Sequence, residues 1–143
     1  MGVGRGEEMG RAEAAGMNVP GDLSAYEWRN RLLLIFAVDA EDVGFKTQMA
    51  ELDGQEEGIE DRDLVIFSIL QYGPSMAGER SLDEDDAEAL RARFEVEPDT
   101  FMVVLIGKDG GAKLQKDHPL PIGDIFDLID SMPMRQQEMR ECE

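Results

Sequence analysis

The chain has 143 residues, with 32 acidic side chains against 14 basic ones and a formal net charge of −18. This length is close to the ~150 residues of a single domain, and a hydrophobic content of 42% is enough to form a core. Nucleic acids and anionic membranes would repel so acidic a chain, so we expect neither as a partner. One cysteine and one histidine exclude an intramolecular disulfide and a multi-cysteine or His-rich metal site. The sequence therefore suggests no cofactor.

The two ends of the chain differ in composition from its middle. Residues 1–21 are rich in glycine and poor in large apolar side chains, which predicts a disordered tail. They lack the apolar core of a secretory signal, and the longest apolar run, 32–38, is far shorter than a membrane span. As written, the sequence predicts a cytoplasmic protein; an upstream exporting segment missing from it would make the protein exported. We place one domain at 22–134 and a polar C-terminal tail at 135–143.

The middle of the chain alternates between continuous apolar runs, which indicate buried strands, and apolar residues at helical spacing. The predicted elements are a turn or short helix at 23–30, a strand at 31–38, a helix at 40–58 weakened at Gly54, a strand at 64–70, a helix at 81–94, strands at 101–106 and 112–115, and a helix at 121–133. Ser81 and Glu84 suggest a capping box at the start of the third of these helical segments. The order β-α-β-α-β-β-α predicts an α/β fold, a mixed four-stranded sheet with helices on both faces, which is the order of the thioredoxin-like fold.

Three stretches of the sequence resemble domain-of-unknown-function family 4174. They are residues 26–34 (YEWRNRLLL), 104–110 (VLIGKDG) and 128–139 (LIDSMPMRQQEM), of which the last is the most specific. The resemblance covers about residues 23–139. The family includes short bacterial proteins and repeated domains of vertebrate secreted matrix proteins. The resemblance implies the thioredoxin-like fold but no reaction, because the family has no established catalytic residues to transfer.

Thiol chemistry in a thioredoxin-type oxidoreductase needs a cysteine after the first strand, where the dipole of the following helix lowers the pKa of the thiol. Residues 38–43 of this chain read VDAEDV and contain no cysteine. The sole cysteine, Cys142, lies between Glu141 and Glu143, whose charges disfavour a thiolate. Two interpretations of Cys142 stay open: an inert exposed thiol, and a thiol that forms an intermolecular disulfide or serves as a redox group.

Eight residues are candidate interaction or ligand positions: Asp39, Glu41, Asp42, Met102, Lys108, Asp109, Arg135 and Glu138. The first three offer the carboxylate oxygens that hold calcium or magnesium, although capping of the next helix is the simpler interpretation. The lysine and aspartate at 108–109 form either a solvated turn or a ligand-contacting hairpin tip. The last two belong to a recognition tail or are solvated helix residues. Outside this set, Trp28 is expected to plug the edge of the core.

Two functions are compatible with this sequence. The first is a non-catalytic thioredoxin-like domain for protein interaction or scaffolding, which the missing thiol favours. Its acidic helices favour a basic protein partner or reflect a salt-loving host. The alternative is an antioxidant or a thiol- or peroxide-linked oxidoreductase of the thioredoxin-like superfamily. That activity would need Cys142, or a substrate site around residues 39–42 and Met102.

Overall fold

The computed structural model of the protein describes residues 23–141; the predicted N-terminal tail and Cys142 lie outside them. After a 3-10 turn at Leu23–Tyr26, the strands are β1 (Arg31–Ala37), β2 (Leu64–Leu70), β3 (Ser75–Ala77), β4 (Arg80–Leu82), β5 (Met102–Ile106) and β6 (Ala112–Lys116). The helices are α1 (Val43–Leu52), α2 (Glu56–Asp61), α3 (Glu84–Arg93), α4 (Ile122–Asp130) and α5 (Pro133–Glu141).

The strands form one mixed sheet in the order β4-β3-β2-β1-β5-β6. β1 lies at its centre, parallel to β2 and antiparallel to β5. All seven residues of β1 are buried, because successive side chains of a strand point to opposite faces and both faces are covered. Leu32, Leu34 and Phe36 belong to the core on one face, and Leu33 and Ile35 to the core on the other.

The helices are divided between the two faces of the sheet. α3 packs on the first face through Ala87 and Leu90. α1, α2 and α4 pack on the second face, where the buried stripe of α4 contributes Ile125 and Ile129. The predicted α/β class with helices on both faces is thus confirmed.

The strand count of four was wrong, because a short hairpin, β3–β4, extends the sheet to six strands. Each of its strands has three residues, too few to show a period of two along the sequence. The hydroxyl of Ser75 closes the turn before this hairpin by accepting a hydrogen bond of 2.9 Å from the backbone N–H of Leu70. The predicted capping box is also wrong: Ser81 lies in β4, and Asp83 caps α3 by accepting from the N–H of Asp86 at 2.9 Å.

The helix predicted at 40–58 is two helices, separated by a turn in which Gly54 has a φ of +80°. Only glycine adopts this backbone conformation at little cost, so the break falls at the predicted weak point. At the other end of the chain, residues 135–141, which the sequence places in a polar tail, belong to α5. Arg135 is only 5% exposed there, since α5 is attached to the domain by the ion pairs described below.

Candidate ligand-binding site

The three stretches that resemble family 4174 meet at one end of the sheet. Because β5 runs antiparallel to β1, with Leu32 opposite Ile106, the turn after β5 lies beside the chain that enters β1. The start of α5 closes the same region. Together these segments line a cavity of about 290 Å³, the Trp28 cavity. Its lining residues are Trp28, Arg31, Gly107, Lys108, Asp109, Lys113, Met132, Pro133 and Met134.

Buried ion pairs centred on Glu138 form the base of this region. The Glu138 carboxylate accepts hydrogen bonds from the Arg31 guanidinium at 3.2 and 3.3 Å and from the Lys108 ammonium at 2.7 Å. Lys108 also donates to Asp63 at 2.8 Å. Burial alone would lower the pKa of Lys108, but its hydrogen bonds to Asp63 and Glu138 outweigh burial and raise that pKa. Burial would likewise raise the pKa of Glu138, but Lys108 and Arg31 lower it below its usual value. Lys108 and Glu138 are therefore both charged at neutral pH.

A second group of ion pairs attaches α5 to α2 and α4. Arg135 donates to Asp130 at 3.0 Å and to Asp61 at 2.6 Å. Asp130 also accepts a two-point contact from Arg62, at 2.9 and 3.1 Å. Burial would raise the pKa of Asp130, but these two arginines outweigh burial and lower it. The Arg62 guanidinium stacks 3.9 Å above the centre of the Phe126 ring, which links the charged cluster to the apolar face of α4.

Trp28 lies at the mouth of the cavity and does not plug the core as predicted. Its side chain is 62% exposed. Tyr26 packs on the core instead, with its ring edge-on to that of Phe67 at 5.5 Å. Trp28 has a φ of +69°, a left-handed conformation that costs an L residue ~1–2 kcal/mol. Its backbone N–H donates a hydrogen bond of 2.6 Å to the carbonyl of Lys108 and so fixes this conformation.

The β5–β6 turn brings a third cation to the cavity wall. The side chain of Lys113 crosses over Gly107, where an added Cβ would lie 2.7 Å from Lys113 Cε. Its ammonium then pairs with Asp109 at 2.8 Å, and both side chains are partly exposed. The turn itself is closed by the Asp109 carboxylate, which accepts from the N–H of Gly111 at 2.9 Å. Gly107 therefore permits the path of the lysine into the cavity.

Four of the eight candidate positions lie at the opposite end of the sheet. Asp42 caps α1, accepting from the N–H groups of Gly44 and Phe45 at 2.8 and 3.3 Å. Asp39 accepts from the N–H of Glu41 at 3.0 Å, and the hydrogen bond from Lys46 lowers the pKa of Glu41. The partly buried Met102 lies opposite Phe36 in the sheet. The seven residues of β1, at ~3.3 Å each, separate this end by roughly 20 Å from Lys108, Asp109, Arg135 and Glu138.

The start of α1 is where the thioredoxin-like fold would carry a thiol. Residues 38–43 supply no cysteine, and the Asp42 carboxylate occupies two backbone donors of the first turn. The ring of Phe101 packs directly on this turn: a Cβ added to Gly44 would lie 2.9 Å from Phe101 Cδ1. Within residues 23–141, no cluster of three or more histidine, cysteine, aspartate or glutamate side chains is arranged to hold a metal ion.

Several residues of the Trp28 cavity and its ionic base are not among the sequence candidates. Arg31 is predicted only as the charged edge of an apolar run, yet it is 1% exposed. Asp63 and Asp130 are not singled out either, and Trp28 is assigned to the core. Of these residues, only Arg31 could have been singled out from the sequence. A cation at the start of a strand that is buried on both faces needs a buried partner. The sequence around Arg31 does not indicate that this partner is Glu138, which lies 107 residues later.

The mixed sheet with helices on both faces is that of a thioredoxin-like α/β domain. The chain matches the family described as domain of unknown function DUF4174 over residues 22–138, and it belongs to that family. It is 29% identical over 134 residues to coiled-coil domain-containing protein 80 of Danio rerio, covering 82% of this chain and 15% of that protein. It is 27% identical over 124 residues to the human sushi repeat-containing protein SRPX2, covering 85% of this chain and 27% of that protein.

The chain is thus similar to a small part of each of these longer proteins. Among solved structures, the fold is similar to the reduced 2-Cys peroxiredoxin of Plasmodium vivax, with a TM-score of 0.60 and 14% identity over 80% of this chain and 84% of that one. It is also similar to thioredoxin peroxidase I of Plasmodium yoelii, with a TM-score of 0.59 and 16% identity over 80% and 79%. At such identities the likeness shows the fold alone. In the part of the chain described, no helix is long and apolar enough to cross a membrane.

Proposed function

We propose that this domain binds a protein partner and does not catalyse thiol or peroxide chemistry. The observation that carries the proposal is the start of α1. Residues 38–43 contain no thiol, the Asp42 carboxylate occupies two first-turn donors, the N–H groups of Gly44 and Phe45, and Phe101 covers the backbone at Gly44. A nucleophile, its activating donors and open access are all needed for that chemistry.

The Trp28 cavity supports the binding half of the proposal. Trp28 and Met134 are 62% and 39% exposed, and aromatic and methionine side chains are enriched where proteins bind one another. The ion pairs of Glu138 and Arg135 anchor the surrounding segments, which favours a preformed surface. A binding surface on rigid elements loses little entropy when a partner is bound.

The charge of the domain favours a basic partner. The net charge is −18, and the first turns of α2 and α3 carry Glu56, Glu57, Glu84, Asp85 and Asp86. These acids attract a basic protein and steer its approach over the screening distance of ~8 Å at physiological salt.

Turnover assays test the proposal that the domain does not catalyse thiol or peroxide chemistry. Purified full-length protein is incubated with hydrogen peroxide and a thiol reductant, and separately with a small disulfide substrate, beside a Cys142→Ser variant. We expect no turnover above that of the buffer from either protein. Turnover that disappears in Cys142→Ser would overturn the proposal and make the C-terminal cysteine catalytic. Turnover that survives in Cys142→Ser would also overturn it and direct attention to residues 39–42 and Met102.

A further inference from the structure

Trp28 combines two unfavourable features, a left-handed backbone and an exposed indole. Its backbone is held at a φ of +69°, and its ring is 62% exposed. Strain at a residue fixed by its surroundings is characteristic of functional sites. The hydrogen bond from Trp28 N–H to the Lys108 carbonyl holds the ring at the edge of the cavity. The ring therefore stands where a bound group would cover it.

The wall of the cavity offers donors to an anionic group. Arg31, Lys108 and Lys113 line it, against one carboxylate, that of Asp109. Asp63 and Glu138 neutralise Lys108 from behind, and Glu138 also binds Arg31. Two donors then remain for a ligand. Among residues 23–141, the Lys113 ammonium pairs only with the exposed Asp109. The Arg31 Nε is buried and has no hydrogen-bond partner among the described residues.

That unpaired donor is the independent sign of a ligand. Buried polar groups almost always have a partner, and the exceptions call for an explanation such as a bound group. Arg31 is 1% exposed and lies in the cavity wall. The Nε atom has almost no accessible surface, so an acceptor oxygen bound in the cavity gives its N–H the missing hydrogen bond only after the Arg31 side chain shifts toward the cavity.

The rest of the lining is apolar and the space is small. Met132, Pro133 and Met134 line, together with Trp28, a volume of about 290 Å³. A single amino-acid residue fills such a space, so the apolar group and the anionic group must belong to the same residue. In a polypeptide, the carboxyl-terminal residue supplies both, since it carries its own side chain and a free carboxylate.

We propose that the Trp28 cavity binds the carboxyl-terminal residue of a protein partner, with its carboxylate at Lys113 and Arg31 and its apolar side chain against Trp28 and the methionines. The inference rests on the proposed function, because it identifies the part of the partner that is bound. It also agrees with a basic partner, since the acidic exterior can attract the body of that protein while its terminal carboxylate enters the cavity.

Trp28 is the chain's sole tryptophan, so the intrinsic fluorescence of the full-length protein reports on the cavity directly. The probe is an acetylated tetrapeptide, Gly-Gly-Gly-Phe, used as the free acid and as its carboxyl-terminal amide. We expect the free acid to shift the Trp28 emission saturably. We expect the amide to bind at least about tenfold more weakly, because it lacks the charge that pairs with the lysine.

Two variants are matched in charge. Lys113→Gln removes the cation of the cavity, and Lys116→Gln removes an exposed lysine of the same strand that does not line it. We expect binding of the free acid to fall at least about fivefold in Lys113→Gln and to change less than about twofold in Lys116→Gln. Circular dichroism of both variants verifies that they fold.

The inference is overturned if the free acid gives no saturable shift, if acid and amide bind equally, or if both lysine variants bind alike. Binding of 3-phenylpropionate without binding of the peptide would also overturn it, by assigning the cavity to a small acid. None of these results depends on turnover. The failure of this inference is therefore distinguishable from that of the proposed function, which the peroxide and disulfide assays test separately.

Discussion

The carboxylate of Glu138 in the last helix binds the guanidinium of Arg31, the first residue of the first strand, across 107 positions of sequence. Arg31 is only 1% exposed, and a buried cation without a counter-charge is strongly destabilising. α5 is therefore part of the domain, because it supplies the carboxylate that makes burial of Arg31 tolerable. The same contact positions the residues that line the Trp28 cavity.

Replacing Glu138 by Gln should lower the free energy of unfolding by about 2–3 kcal/mol. The variant leaves Arg31 and Lys108 without one of their carboxylate partners, and an unpaired buried charge costs about this much. Urea unfolding followed by far-UV circular dichroism measures the change. Glu141→Gln is the matched control on the same helix, because Glu141 is exposed and, among the described residues, its carboxylate accepts a hydrogen bond only from Gln137. Equal stability of the two variants would show that the Arg31 contact contributes little.

Stability should fall in acid, and part of that fall should depend on Glu138. Its folded-state pKa lies below the usual 4.5 because Lys108 and Arg31 outweigh burial. The unfolded chain therefore binds a proton that the folded chain does not, so this contribution is present above the unfolded pKa and is lost as the pH falls through the folded pKa. Asp130, whose pKa is lowered from 3.8 by Arg62 and Arg135 against the effect of burial, acts in the same direction.

The measurement is urea unfolding from pH 7 down to pH 3, for the wild-type chain and for Glu138→Gln. We expect the stability difference between the two proteins to be largest at neutral pH and to shrink below about pH 4.5. A difference that stays constant over the whole range would contradict the assignment of a lowered pKa to Glu138. Taking the difference between the two proteins cancels the contributions that the other acidic residues make to the pH dependence of stability.

Two helical glycines should respond oppositely to alanine. A Cβ at Gly58 in α2 would lie 2.7 Å from Cε2 of Phe126 in α4, so Gly58→Ala should destabilise the domain by about 1–2 kcal/mol through overpacking. At Gly123 in α4 an added Cβ meets nothing within 4 Å. Gly123→Ala should therefore stabilise the domain, by about 0.5–1 kcal/mol, since alanine is the better helix former.

Thermal unfolding of both variants in parallel checks these signs. Destabilisation by both substitutions, or by neither, would show that the packing of Phe126 over α2 does not govern the response. The pair is informative because the chemical change is identical and only the surroundings differ.

The sequence predicted the elements whose signal is local. The apolar runs of β1 and β2 are recognisable from their residues alone, and each strand falls within one residue of its predicted bounds. The hairpin β3–β4 carries no such signal, because its strands are too short to show a period. The sequence favours Ser81 as the cap of α3, although Asp83 is the residue that caps it. Both residue types are good caps, and only the pairing of Ser81 in β4 decides between them.

The candidate site was predicted only in part, since it depends on contacts between distant segments. The sequence names Lys108 and Asp109 from a turn, and Arg135 and Glu138 from the polar C-terminal tail, and nothing local indicates that they lie together. What brings them together is the antiparallel pairing of β5 with β1 and the ion pair of Glu138 with Arg31. Trp28 is exposed and has a left-handed backbone, and a sequence pattern reveals neither for a tryptophan.

Substitutions at Trp28 should separate the effect of the strained backbone from that of the ring. Trp28→Gly and Trp28→Val both remove the indole, but glycine adopts a φ of +69° freely and a β-branched residue does not. We expect Trp28→Gly to be more stable than Trp28→Val by about 1–2 kcal/mol, measured by urea unfolding with circular dichroism as the probe. Equal stabilities would mean that the turn relaxes when the ring is lost. In that case the hydrogen bond from residue 28 to the Lys108 carbonyl, at 2.6 Å, would not be what fixes the conformation. A higher stability for Trp28→Gly would instead show that the domain tolerates backbone strain to hold an exposed tryptophan at the cavity.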